Sequence, residues 1–188
     1  SEQIRVFDEH GFRRRAGCIA VNGENQVCGV PAFRVCWLLT HTQVMLIASS
    51  SGKWIVPAGG IDPGETAAVA AARETEEEAG VTGTLGALLG VYQGGDRKTR
   101  TEYFVLHVTT VLDTYEEGDK GTRVLPSSLA PNPDPPFSPG RARKWHTPAD
   151  AVAALGHKPA QLRALLDTLE VLGVDSSEFV VPPELKDA

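Results

Sequence analysis

Sulfur is scarce in this chain: 188 residues carry three cysteines and one methionine. Cys18, Cys28 and Cys36 form no CxxC pair, which excludes a disulfide framework and a four-cysteine zinc site and predicts reduced thiols. Cys18, in an apolar run, reads as a small buried side chain and not as a nucleophile. Long apolar runs are also missing. The longest, Val35–Leu39 and Val44–Ala48, fall far short of the roughly 20 residues of a membrane span, so no membrane partner is expected. Ser1 to Arg5 has no hydrophobic signal region, and the expected location is the cytoplasm, with the nucleus as a second expected site. The five histidines show no HExxH spacing, which disfavours zinc hydrolysis. Positive charge is in deficit, with 18 Lys and Arg against 24 Asp and Glu and a net charge of −6. That balance argues against general nucleic-acid binding, which needs a broad basic surface. No heptad or obvious interface is present, so a monomer is expected.

What is present suffices for a core: 41% of the residues are hydrophobic and 22% charged, and the length suits one domain. The pattern predicts a domain over 1–173, with insertions near 23–41 and 117–140 and a flexible tail over 174–188. The first insertion brings the apolar Val35–Leu39; the second has six prolines between Pro126 and Pro139, which no regular element can cross. Strands are predicted over 16–22, 43–48, 84–93, 101–112 and 142–146, with a short one near Trp54. In 101–112, alternation places Phe104, Leu106 and Val108 on one face and Tyr103, Val105 and His107 on the other. An alanine- and glutamate-rich helix runs over 65–79 and stops at Gly80, and two further helices cover 148–155 and 159–172.

The most informative stretch runs from Gly59 to Val81. Five residues separate Gly59 from Glu65, seven more separate Glu65 from Arg73 and Glu74, and Glu77, Glu78 and Gly80 follow. Residues three and four apart share a helix face, so Glu74, Glu77 and Glu78 should converge while Glu76 points away. Like charges at that spacing disfavour a bare helix by about 0.2–0.5 kcal/mol per pair, and something positive should offset them. A hard divalent cation suits such carboxylates, and Arg73 can steady the array through Glu77 or Glu65. Gly59 and Gly60 allow a ligand or metal to approach the main chain closely. A glutamate run on a helix is ordinarily a solvated face; the fixed spacing of the other residues sets this one apart.

This segment resembles the Nudix box, the signature of the Nudix hydrolase family, with Thr75 where the family usually has Ile, Leu or Val. Weaker packing of the helix against the sheet is expected there. The resemblance implies an α/β/α sandwich with a mixed β-sheet, dependence on Mg²⁺ or Mn²⁺, and hydrolysis of a phosphoanhydride. It assigns metal ligation to Glu74, Glu78 and the Gly59 backbone, and the proton-accepting role to Glu77; the residues themselves do not separate Glu77 from Glu78.

GFRRRAGCIAV, SSSGKWIVPAGGIDPGE, GTLGALLGVYQGGDRKTRT and GHKPAQ are similar to the diphosphoinositol polyphosphate phosphohydrolase branch of the family, which also cleaves diadenosine polyphosphates. The implied partner is a highly phosphorylated small molecule. Arg5, Arg13, Arg14, Arg15, Arg97, Lys98 and Lys158 match positions that would meet its phosphates, as does Arg141 or Arg143. Ser49, Ser50, Ser51, Gly59 and Gly60 would add hydroxyl and backbone contacts. Ala58 stands where the branch has a third glycine, which puts a β-carbon in the turn and should hinder close approach. Two other readings stay open: hydrolysis of nucleoside diphosphate derivatives or capped RNA, and a polyphosphate-binding module without catalysis.

Overall fold

The computed structural model describes residues 5–22, 42–95, 98–119, 141–174 and 179. Its strands are β1 (Arg13–Asn22), β2 (Gln43–Ala48), β3 (Trp54–Ile55), β4 (Ala58–Gly60), β5 (Val81–Gln93), β6 (Thr99–Val111) and β7 (Arg143–His146). The helices are α1 (Ala67–Ala79), α2 (Glu116–Asp119), α3 (Pro148–Leu155) and α4 (Pro159–Val171). The first predicted insertion and most of the second lie outside the described residues, except that 117–119 belong to α2. Of the predicted tail, Val174 is buried and Phe179 packs on the same core, so those two residues are held against the domain.

β1 is the organising strand. Along one edge it pairs in parallel with β6, from Arg13 opposite Thr99 to Val21 opposite His107. Its other edge is shared: β4 pairs antiparallel with Arg15–Gly17, and β2 with Val21 and Asn22. β7 and β3 extend the sheet beyond β2, and β5 closes the far side of β6, all antiparallel. The sheet is therefore mixed, as expected. β1 begins at Arg13, three residues before the predicted start. A run of three arginines hides strand character from a reading based on apolar alternation, yet their backbones are tied to β6 and β4. β5 likewise begins at Val81, directly after the helix stop, and β6 at Thr99.

Both faces of the sheet are covered. On one, Ala16, Cys18, Ala20, Met45, Phe104 and Leu106 pack against Ala67, Ala70, Ala71 and Ala79 of α1. On the other, Ile19, Val21, Leu46, Tyr103 and Val105 pack against α3 and α4 through Val152, Leu155, Leu162, Leu165 and Leu169. This is the predicted α/β/α arrangement, and the alternation in β6 holds. The small side chains of α1 bring that helix close to β1. Thr75 is fully buried there and donates to the Ala71 carbonyl at 2.7 Å, so its hydroxyl is satisfied within the helix and its methyl is left for packing. Burial pushes the neighbouring Cys18 thiol up to about 11, against a hydrogen bond with Thr75. It stays protonated and apolar in character.

Candidate active site

Helix α1 starts after Thr66, whose hydroxyl accepts from the Val69 N–H at 3.3 Å, and ends at Gly80 in the left-handed conformation (φ 61°) with its N–H on the Glu76 carbonyl. Glu65 therefore precedes the helix, where its carboxylate accepts from the Asp62 N–H at 3.1 Å. Arg143 closes the C-terminal end by donating to the carbonyls of Ala79 at 2.7 Å and Gly80 at 2.9 Å, and to that of Leu112 at the end of β6. A β-carbon at Gly80 would run into Arg143 and the Tyr115 ring. The orientation of the glutamate face is thus fixed at both ends.

That face is inserted into the fork where β4 leaves β1. Glu74 and Glu78 are buried, at 6% and 7% exposure. The carboxyl of Glu74 fills the space in front of Gly59, so that a β-carbon at 59 would overlap it. Glu78 accepts from the Ala58 N–H at 2.9 Å through Oε2 and is ion-paired with Arg141 through Oε1. Burial pushes the Glu78 carboxyl up to about 7, helped by Glu117 and opposed by Arg141 and the Ala58 N–H. Burial also raises Glu74, against the pull of Arg73. Glu77, with its side chain 34% exposed, is the most open of the three.

Arg73 is the hub. Its Nε and Nη2 fork onto Glu65 at 3.0 and 2.9 Å, its Nη1 reaches Glu74 at 2.9 Å and Glu77 at 3.2 Å, and Nη2 also donates to the Gly60 carbonyl at 3.0 Å. The hydrogen bonds to Glu65, followed by those to Glu74, hold it firmly protonated. Convergence of three carboxylates on one point is not what the structure shows. Among the described residues no three His, Cys, Asp or Glu side chains are grouped to hold an ion, because guanidinium groups supply the offsetting charge: Arg73 lies between Glu74 and Glu77, and Arg141 sits on Glu78. A divalent ion still fits, since Mg²⁺ commonly takes only one or two protein carboxylates together with water and substrate phosphates. Glu74 and Glu78 flank the Ala58–Gly60 backbone, and the missing β-carbon at 59 is what admits the Glu74 carboxyl to it.

Ala58 does not obstruct the turn. It lies in β4 with its side chain in the α3/α4 core, opposite Gly17, where a second β-carbon would collide with it. The expectation of hindered approach is thereby corrected: the space that glycine would leave at 58 is left at 17 instead.

The predicted phosphate-binding groups are only partly brought together. Successive strand residues point to opposite faces, so Arg13 and Arg15 lie on the Ile19 side of β1 while Arg14 turns to the α1 side and pairs with Glu102 at 2.6 Å. Arg15 donates to the Ala58 carbonyl and is near Tyr103, whose other polar neighbours include Gln161, Thr101 and Glu78. Burial and then the charges of Arg15 and Arg5 disfavour the charged form of Arg13, against the attraction of Glu74. Arg5, Arg13, Arg15 and Glu74 are therefore one electrostatic neighbourhood. The Nε atoms of Arg13 and Arg15 are buried without a hydrogen-bond partner among the described residues. Lys98 is exposed at the start of β6 and accepts from the Arg13 N–H through its carbonyl. Lys158 is exposed at the N-terminus of α4, which has no side-chain cap. Ser49, Ser50 and Ser51 form the β2–β3 turn, where Ser49 Oγ lies 3.0 Å from Ser51 Oγ and accepts from the Lys53 N–H. Gly60 pairs with Arg15 in the sheet. Arg97 lies outside the described residues.

Sequence reasoning missed two contributors and the role of a third. Glu117 on α2 pairs with Arg141 Nε at 2.8 Å; Gln161 on α4 accepts from the Val56 N–H at 3.1 Å, two residues ahead of Ala58; and Arg143, named with Arg141 as a phosphate contact, gives its hydrogen bonds to the carbonyls at the end of α1. The glutamine in GHKPAQ was the available signal for Gln161.

The Nudix domain model matches residues 11–167. Over 166 residues the chain is 36% identical to diphosphoinositol polyphosphate phosphohydrolase 2 of Rattus norvegicus, covering 87% of this chain and 74% of the relative. This chain belongs to the Nudix family. Within it, the similarity to the diphosphoinositol polyphosphate phosphohydrolase branch extends to diphosphoinositol polyphosphate phosphohydrolase 3-beta of Homo sapiens, 34% identical over 99% of this chain and 95% of the relative. Among solved structures the fold is shared with a C. elegans Ap4A hydrolase in a binary complex, at a TM-score of 0.51 and 20% identity over 85% of this chain and 98% of that one. A Nudix hydrolase from Nitrosomonas europaea superposes at a TM-score of 0.51 and 16% identity, over 84% and 88% of the two chains. The chain is thus a Nudix hydrolase, and the fork at Gly59, Glu74 and Glu78 is where its box residues meet.

Proposed function

We propose that this Nudix hydrolase cleaves the phosphoanhydride of diphosphoinositol polyphosphates, giving the monophosphate and inorganic phosphate, and acts on diadenosine polyphosphates as secondary substrates. The observation that carries this reading is the placing of Arg13 and Arg15 on one face of β1 near Glu74, with guanidinium Nε atoms that are buried and have no hydrogen-bond partner among the described residues. An acidic protein that concentrates guanidinium groups with unused donors next to its carboxylates is arranged for a small, densely anionic ligand. The similarity to the diphosphoinositol polyphosphate phosphohydrolases supports the same substrate class.

In this reading Glu74, Glu78 and the Gly59 backbone hold a divalent cation, Mg²⁺ or Mn²⁺. When bound, the cation polarises phosphate oxygens and lowers the pKa of water. Arg13 and Arg15 orient the phosphates from the α4 side of β1, and Lys98 and Lys158 add charge at the rim. Glu77, the carboxylate most open to solvent, takes the proton from the attacking water, and Arg73 keeps it positioned. Breaking the phosphoanhydride needs no covalent enzyme intermediate, so the chain's work is positioning and charge stabilisation.

The test is a phosphate-release screen across inositol pyrophosphates, dinucleoside polyphosphates and nucleotide sugars with Mg²⁺ and with Mn²⁺. Inositol pyrophosphates should give the highest kcat/KM; preference for a nucleotide sugar would end the reading. Glu77→Gln should lower kcat by about a hundredfold or more while substrate binding is kept, and unchanged turnover would remove Glu77 from the mechanism.

A further inference from the structure

Arg141 stands outside the glutamate motif yet touches it. Its Nη1 is ion-paired with Glu78 Oε1, and its Nε with Glu117 Oε2 at 2.8 Å. The residue is also anchored through its main chain: its N–H donates to the Glu117 carbonyl at 3.1 Å, and its carbonyl accepts from the Tyr115 hydroxyl. One guanidinium therefore bridges two carboxylates of unlike surroundings. Glu78 is buried and pinned by the Ala58 N–H, whereas Glu117 lies on the short helix α2 and is 29% exposed. A divalent cation bound through Glu78 would meet Arg141 at the same carboxylate, and two cations at contact distance repel strongly where solvent is excluded.

We propose that Arg141 is a resident counter-cation that a divalent ion must displace from Glu78, and that Glu117 is the positioning residue that retains it through Nε. Displacement leaves the Nη edge of Arg141 available to an anionic substrate without releasing the side chain from the site. The ion and the polyphosphate then favour each other's binding through one arginine, and the coupling is reciprocal. This inference rests on the reading of Glu78 as an ion ligand.

The experiment measures Mn²⁺ binding to the full chain without substrate, by calorimetry and by the paramagnetic resonance signal of free Mn²⁺. Glu78→Gln tests the underlying reading: it should weaken Mn²⁺ binding at least about tenfold, and wild-type affinity there would remove both that reading and this inference. Given that loss, Arg141→Gln should bind Mn²⁺ about fivefold more tightly than wild type, because a competitor has gone. Glu117→Gln should bind it more weakly, because Arg141 then has Glu78 as its remaining carboxylate partner. In the Glu117→Gln/Arg141→Gln double variant the affinity should return to that of Arg141→Gln. Unchanged or weaker binding in Arg141→Gln overturns the proposal, as does a Glu117→Gln defect that persists without Arg141. Arg141→Lys, which keeps the charge and helps distinguish competition from altered folding, should stay close to wild type; affinity equal to that of Arg141→Gln would also count against competition.

Discussion

At the scale of single residues, the site turns on where β-carbons are absent. Gly59 is required because the Glu74 carboxyl occupies the volume a side chain would take, whereas Ala58 is tolerated because Gly17 lies across from it. Gly59→Ala should therefore lower kcat and weaken Mn²⁺ binding together. Ala58→Gly should leave turnover intact and lower stability by about 0.5–1 kcal/mol, read from steady-state kinetics and thermal unfolding of the two variants side by side. The spacing of the box made Gly59 and its glutamates legible in the sequence. The partnership of residues 17 and 58 was not, because it depends on a strand register between segments far apart in the chain. Thr75 shows the same limit: its burial was readable from helix periodicity, but the hydrogen bond to Ala71 that makes it harmless was not.

At the scale of elements, helix α1 is aimed by what grips its ends. Arg143 gives three hydrogen bonds to the carbonyls of Ala79, Gly80 and Leu112, and hydrogen bonds to charged groups contribute about 1.5–3 kcal/mol each at most. Arg143→Ala should lower the melting temperature and, by loosening the glutamate face, lower kcat more than it raises KM. A variant that loses stability with kcat unchanged would show that the helix is aimed by the sheet alone. β7 carries a second testable group. Burial holds His146, edge-on to Trp54 at 5.0 Å, below its ordinary value of 6.5. A histidine kept neutral in the fold and protonated when unfolded withdraws stability as pH falls below about 6.5. Above that value it has no effect. The decline in melting temperature between pH 7.5 and pH 5 should therefore be smaller in His146→Gln than in wild type, as calorimetry at several pH values would show. Helices α3 and α4 were legible from their prolines and apolar spacing. The start of β1 was not, because three arginines are an unusual strand opening until β6 and β4 are seen beside them.

At the scale of the whole molecule, a chain of net charge −6 presents a local positive neighbourhood to its substrate, so attraction at the site must work against the field of the rest. The Debye length contracts from about 10 Å at 0.1 M salt to about 3 Å at 1 M. Over that range KM should rise several-fold for the most highly phosphorylated substrate, and kcat should change far less. An equal rise for substrates with few phosphates would argue that no polyanion pocket exists. The layered architecture was legible through the resemblance to the Nudix family, and the apolar residues on both faces of β1 and β6 agree with it. The parallel pairing of β1 with β6, and the fork that β4 makes, were not, since local patterns carry no record of which distant strand is the neighbour.

The bridge from Gln161 to Val56 spans 105 residues, and the Arg14–Glu102 pair spans 88. Contacts of such separation form late, after loop closure has been overcome. On the ribosome, the loop that cradles the reacting groups would therefore wait for the closing helix to emerge and dock. A nascent or truncated chain ending before residue 161 would hold every acid of the signature and still lack the hydrogen bond that fixes Val56, two residues ahead of the N–H that Glu78 accepts.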